Sequence, residues 1–123
     1  MTTTRRQFVQ ALGASAALGA FHPFAANAQV DQVKVYFGFP AGSSGDTVAR
    51  RVAEKWAGSA FSKNPVVVEN KPGAGGRIAL ETLKAAPADG SVLAVAQVSA
   101  LANYPHIYSK MNYTDKDFAP VSI

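Results

Sequence analysis

Phe37-Gly38-Phe39-Pro40-Ala41-Gly42-Ser43-Ser44-Gly45-Asp46 is the stretch that decides the fold. Before it, Val33-Lys34-Val35-Tyr36-Phe37 is a short apolar run rich in β-branched and aromatic residues, which predicts a strand. After it, Val48, Val52 and Trp56 recur every four residues with Ala49, Ala53 and Ala57 beside them, the apolar stripe of a helix. The residues between are small, and Ser43 and Asp46 have the spacing of a capping box. Small side chains let a ligand come close to the main chain. The orphan N–H groups of a helix's first turn point outward with partial positive charge, so such a turn suits an anion.

Working outward, the same alternation repeats. Val66-Val67-Val68-Glu69-Asn70 predicts a second strand, and Lys71-Pro72-Gly73-Ala74-Gly75-Gly76 a connection. A second helix is expected from Arg77, with Ala79, Leu83 and Ala86 on one face, ending at Pro87. Ala88-Asp89-Gly90 is a turn signal, with Asp89 as a turn residue. Val92-Leu93-Ala94-Val95-Ala96 is a continuous apolar run, as in a strand buried on both faces. Ser99 to Asn103 are mostly small and polar, Tyr104-Pro105 marks a boundary, and Lys110 to Asp117 is polar and turn-like. Ala119-Pro120-Val121-Ser122-Ile123 reads as the approach to a fourth strand.

The order β-α-β-α-β with connections of this length predicts an α/β fold, an open parallel sheet with helices on both faces. The common small arrangement places the first strand between the second and third, giving the order 2-1-3. Ligands of open α/β sheets sit at the switch point of such an order. Phe39–Asp46 and Gln97–Asn103 are therefore expected to face each other across a crevice.

The chain has 123 residues, at most one ordinary domain, and its composition (48% hydrophobic, 16% charged) is that of a globular protein. Residues 1–28 have the parts of an export signal: Thr4-Arg5-Arg6-Gln7-Phe8-Val9 resembles the twin-arginine pattern, Val9 to Phe21 is moderately apolar, and Ala26-Asn27-Ala28 offers small residues to a signal peptidase. A mature start at Gln29 and a periplasmic location are expected. From Gln29 onward ten basic residues stand against eight acidic ones, a net of +2, and the basic residues are scattered, which gives no nucleic-acid footprint. With no cysteine there is neither disulfide nor thiolate metal site.

Several chemistries fail on spacing. Gly73-Ala74-Gly75-Gly76 lacks the third glycine of a dinucleotide fingerprint, since Ile78 stands there, and no Gly-Lys-Ser/Thr follows. It reads as a tight turn before a helix, with a direct ligand contact as the alternative. Ser43, Ser44 and Ser99 lie in no Gly-x-Ser-x-Gly elbow. His106, the one histidine after Gln29, reads as a loop residue packing on Tyr104 or Tyr108. Metal-ligand spacings are absent, so neither metal nor cofactor is expected. Asp46 has two open roles, a helix-capping carboxylate or a contact to a ligand's ammonium or hydroxyl.

Five blocks, in order, resemble one family. Phe39-Pro40-Ala41-Gly42-Ser43-Ser44-Gly45-Asp46 resembles the Pro-Phe-x-x-Gly-Gly-x-x-Asp opening of the Bug proteins, extracytoplasmic solute receptors of the tripartite tricarboxylate transporter type. Val67-Val68-Glu69-Asn70-Lys71-Pro72-Gly73-Ala74-Gly75-Gly76 resembles that family's most specific block. Ala86 to Gly90, Asn103 to Tyr108 and Lys116 to Val121 are similar to later blocks. Gly38 replaces the usual proline, Ser43 the second glycine, and Gly45 stands where a hydroxyl residue is common.

The resemblance implies a receptor, not an enzyme, whose two lobes close like a Venus flytrap on a small carboxylate. Residues 29–123 would then be an incomplete N-terminal lobe of a periplasmic-binding-protein fold. The implied partners are an organic acid and membrane transporter subunits or a sensor protein, with no nucleic acid, and the full-length receptor is expected to be a monomer. The implied ligand contacts are Phe39, Ala41, Gly42, Ser43, Ser44 and Asp46, with Gln97, Ser99 and Asn103 opposite. The alternatives are a periplasmic hydrolase using Ser43 or Ser99 and a non-functional truncated remnant.

Overall fold

A computed structural model describes residues 30–122, so the expected export signal lies outside the described residues. Three strands form one parallel sheet in the order β2-β1-β3: β1 is Lys34–Phe37, β2 is Val67–Asn70 and β3 is Val92–Val95. Lys34 is in register with Val67 on one side and Val92 on the other, and Phe37 with Asn70 and Val95. This is the 2-1-3 order expected from the sequence.

The central strand is the most buried. Val33, Val35 and Phe37 are almost fully buried while Lys34 and Tyr36 between them are half-exposed, the period-two alternation of a strand. Helix α1, Ser44–Trp56, lies against the Phe37 side, close enough that a methyl group on Gly45 would meet the Phe37 ring. It buries Ala49 and Ala53, whereas Val48 is exposed and Val52 and Trp56 are half-buried. The stripe is thus centred on the alanines rather than on the larger residues. Alanine has no bulk beyond Cβ, so the helix can settle closely on the sheet.

Helix α2, Arg77–Lys84, covers the opposite face. Ala94 sits beside Tyr36 in the register, on the side away from Phe37, and packs with Leu83 against a cluster of Leu80, Ala100 and Tyr113. Helix α2 stops at Lys84, short of Pro87, with Ala85 as its cap. It is preceded by a single 3-10 turn, Ala74–Gly76, and Gly73 at its N-cap as well as Ala74, Gly75 and Gly76 within it have positive φ. The tight turn expected before the helix is therefore present.

After β3 the chain forms two short helices, α3 (Val98–Ala102) and α4 (Tyr104–Ile107), where the sequence reads as small and polar. Helices of one turn carry no measurable 3.6-residue period, so the pattern could not disclose them. Pro105 sits at the start of α4, where a missing N–H costs nothing. Ala119 to Ser122, read from the sequence as the approach to a further strand, are irregular. No helix among them is long and apolar enough to cross a membrane.

Candidate functional site

The carboxyl ends of β1 and β3 lie side by side, and a crevice opens between the segments that follow them. It is small and opens to solvent. Gly38 and Phe39, following β1, and Ala96, Gln97 and Ala100, following β3, line it together with Gly75, Gly76, Ala79 and Leu80. None of the lining side chains is ionisable.

Phe39 is held by its neighbours. Its ring tilts on Phe37 at a centroid distance of 5.6 Å, and its edge lies 3.1 Å from where a side chain on Gly76 would begin. Gly38 and Gly76 approach still more closely: a Cβ on Gly38 would lie 2.5 Å from the Gly76 Cα. The glycines at 38 and 76 are thus what lets the turn before α2 sit against the end of β1.

From Phe39 the chain turns through exposed Ala41 and Gly42 into α1. Ser43 is the N-cap, its Oγ accepting from the Asp46 amide at 3.3 Å. The reciprocal half of the capping box is displaced by one residue: the Asp46 carboxylate accepts from the Gly42 amide at 2.9 Å rather than from the N-cap itself. With the Asp46 and Thr47 amides bonded to Ser43, the amides of Ser44 and Gly45 are the first-turn donors without an intrahelical acceptor.

Asp46 has more partners than a cap requires. It is buried, and its Oδ2 also accepts from Arg50 Nε at 2.9 Å, while Oδ1 accepts from Asn70 Nδ2 at 2.7 Å. The Arg50 hydrogen bond, the Gly42 amide and the Asn70 amide hold its pKa down to about 2 against the opposing effect of burial. Of the two roles left open by the sequence, the observed contacts are those of an internal tie between turn, helix and β2.

The remaining expected site residues divide. Gln97, N-cap of α3, lines the same crevice as Phe39, so the switch point brings these two to one depression. Ser99 is half-buried within α3, and Asn103 is exposed between α3 and α4. Neither these two nor Ala41 to Asp46 line the crevice. Tyr104 and Tyr108 pack edge-on against each other at 5.3 Å, and His106 is exposed. Arg77, at the start of α2, donates from Nε to the Ala74 carbonyl at 3.0 Å and lies over the Tyr108 ring at 4.0 Å. Among the described residues no group of His, Asp and Glu could hold a metal ion.

Sequence reasoning overlooked Gly38 and the apolar lining of Ala79 and Leu80, as well as Arg50 and Asn70. It left Gly75-Gly76 between turn and ligand contact, and the structure gives the pair both a turn and a place in the crevice wall. The spacing Asp46 to Arg50 was a legible helical ion pair. Nothing in the sequence pattern would have brought Asn70 to it.

Known proteins give a consistent comparison. The family model described as "Tripartite tricarboxylate transporter family receptor" matches residues 48–123. A UPF0065 protein in the gbd 5'region of Cupriavidus necator is 36% identical over 97 residues, covering 73% of this chain and 29% of the relative. A UPF0065 protein in the tcbD-tcbE intergenic region of Pseudomonas sp. (strain P51) is 32% identical over 84 residues, covering 68% of this chain and 24% of the relative. The chain thus spans less than a third of the length of either relative.

Proposed function

Because the chain belongs to the tripartite tricarboxylate transporter receptor family, we propose that it forms part of a periplasmic solute-binding receptor that captures a small carboxylate and presents it to membrane transporter subunits. The observation that carries this reading is the crevice between the carboxyl ends of β1 and β3, which Phe39 and Gln97 both line. That is where open α/β sheets bind ligands. Within the crevice the ligand would meet Phe39 and Gln97; Ala41, Gly42, Ser43, Ser44 and the turn held by Asp46, and Ser99 and Asn103, lie outside its lining and would be met only by a ligand that reaches beyond it.

The recognition would be by neutral donors. The Gln97 side chain lines the crevice, the Ser44 and Gly45 amides would be reached by a ligand extending beyond it, and each hydrogen bond to a carboxylate contributes about 1.5–3 kcal/mol. Three or four such bonds are of the order of the roughly 8 kcal/mol that a micromolar complex needs. Phe39, Leu80 and Ala100 would pack on the carbon skeleton. Delivery to the periplasm would use the twin-arginine leader over residues 1–28, with cleavage before Gln29.

Calorimetry on the full-length gene product with citrate, succinate, glutamate and benzoate as probes tests the reading. Saturable binding of at least one acid, weakened by Gln97→Ala, is expected. Silence with all four, together with covalent labelling of Ser43 or Ser99 by a serine-directed phosphonate, would overturn it in favour of a hydrolase.

A further inference from the structure

Asn70 ends β2, outside the crevice, yet its side chain is fully used. One Nδ2 hydrogen goes to the Phe39 carbonyl at 3.0 Å and the other to Asp46 Oδ1 at 2.7 Å, while its Oδ1 accepts from Arg50 at 3.1 Å. An amide has two donor hydrogens and one acceptor oxygen, and here each has a different partner. The orientation is therefore unique: turned over, the oxygen would face the Asp46 carboxylate and the NH₂ would face Arg50. The three partners lie on two elements. Phe39 belongs to the crevice wall, and Asp46 and Arg50 to the first two turns of α1. Asp46 passes the tie on to the Gly42 amide at 2.9 Å. Main-chain bonds anchor the base of this arrangement, since the Lys71 amide donates to the Phe37 carbonyl at 2.8 Å.

From this network we infer that Asn70 is a positioning residue for the ligand crevice, setting Phe39 and the 39–46 turn through the Phe39 carbonyl and Asp46. The inference rests on the crevice being the ligand site. Asn70 touches no ligand; it fixes the distance between the end of β2 and the segment leaving β1. Without it, the Phe39 carbonyl loses its tie to β2 and the Asp46 carboxylate loses the donor that orients it toward the Gly42 amide.

The informative substitution is Asn70→Asp, which keeps the shape and the acceptor for Arg50 but removes both donors. The introduced carboxylate would face the Asp46 carboxylate and the Phe39 carbonyl. Charged groups facing position 70 are Asp46 and Arg50 of α1; on its own strand's end Glu69 and Lys71 pair with each other at 3.3 Å. Two carboxylates this close share a proton at higher pH than either would alone, and the protonated form regains one donor. A positioning role therefore requires recovery as pH falls from about 7 to about 4, where such a pair takes up its shared proton.

The test uses the full-length gene product and follows amide resonances and hydrogen exchange. In Asn70→Asp at high pH the Gly42 amide is expected to lose protection about tenfold, as befits a lost hydrogen bond to a charged group, with shifted Phe39 and Gly76 resonances. Lowering the pH should restore both. Asn70→Ala should show the same loss with no recovery, and it stands in should the aspartate variant fail to fold. Ser59→Ala is the control: it loses bonds to Trp56 and Phe61 at the far end of α1 and should leave Gly42 and Phe39 unmoved. Unchanged Gly42 protection in Asn70→Ala, or an Asn70→Asp defect that ignores pH, overturns the inference. Probe acids separate the two readings. If citrate, succinate, glutamate or benzoate binds wild type and both Asn70 variants alike, positioning fails and the receptor stands. If the resonances respond as expected, none of the four binds wild type and the phosphonate labels Ser43 or Ser99, Asn70 still sets the turn and the receptor reading falls.

Discussion

Replacing Gly38 by alanine isolates the close approach on which the crevice depends. The new methyl carbon would lie 2.5 Å from the Gly76 Cα, 2.9 Å from its carbonyl oxygen and 3.1 Å from its carbonyl carbon. Carbon atoms rest at about 3.5–4.0 Å, so the two main chains must part by roughly 1 Å. All three obstacles are backbone, so no side chain can swing aside. Gly76 is also anchored, its amide bonded to Gly73 at 2.9 Å and its position that of the N-cap of α2. Gly38 is not among the residues with positive φ, so alanine suits its backbone and the whole penalty is steric. Overpacking of this kind costs about 1–3 kcal/mol. Urea denaturation of the full-length protein should show a lower midpoint with an unchanged slope, the sign of lost stability without a change in the surface exposed. Because the displaced atoms are those of the crevice wall, probe binding should weaken in the same variant. A midpoint equal to that of wild type would refute the argument, since it would mean that Gly38 and Gly76 are not in contact.

Gly42 is the complementary case: its φ is +83° and a Cβ there would meet nothing within 4 Å, so Gly42→Ala should lower stability by about 1–2 kcal/mol in urea through backbone strain alone. Asp46, held at about 2 against an ordinary 3.8, contributes stability that is present above pH ~4 and lost as pH falls towards 2, and Asp46→Asn should flatten that part of a urea-midpoint profile. Tyr113→Phe removes a buried 2.9 Å hydrogen bond to the Ala100 carbonyl and should cost about 1 kcal/mol in the same assay. Changing Arg5-Arg6 to Lys-Lys should impair export, read by fractionation and by the N-terminal sequence of the mature protein.

The fold was legible because its signals are local and repeated. Three short β-branched runs, each followed by small residues and a turn into helix, leave few arrangements once crossovers are right-handed, and the 2-1-3 order is the commonest of them. The site was legible only in part. Phe39 and Gln97 could be named because a switch point follows from strand order. Gly38 against Gly76 and Asn70 against Asp46 could not, since each joins positions far apart in sequence and neither contact has a periodicity. The short helices after β3 were missed for the opposite reason, being too brief to show any period. The stripe of α1 was found but centred wrongly, because Val48 and Trp56 are more hydrophobic than Ala49 and Ala53 while the alanines allow the closer contact.

The fate of the charges around the turn explains the character of the crevice. Asp46 is the carboxylate nearest the first-turn donors of α1, and left unpaired it would repel an anion there. Arg50 and Asn70 neutralise and orient it inside the protein, and in doing so commit the Arg50 guanidinium to Asp46 and Asn70. Arg77, the cation flanking the other side, is likewise engaged by the Ala74 carbonyl and the Tyr108 ring. On the proposed reading a ligand would meet one carboxamide and apolar carbon in the crevice, with the first-turn amides of α1 lying beyond its lining. Neutral donors distinguish an acid by the placement of its oxygens and by what its skeleton packs against, whereas an exposed arginine would attract any anion of sufficient charge. On this reasoning a single scaffold can serve many organic acids by changing the residues around Phe39 and Gln97, while Asp46, Arg50 and Asn70 keep the turn in place.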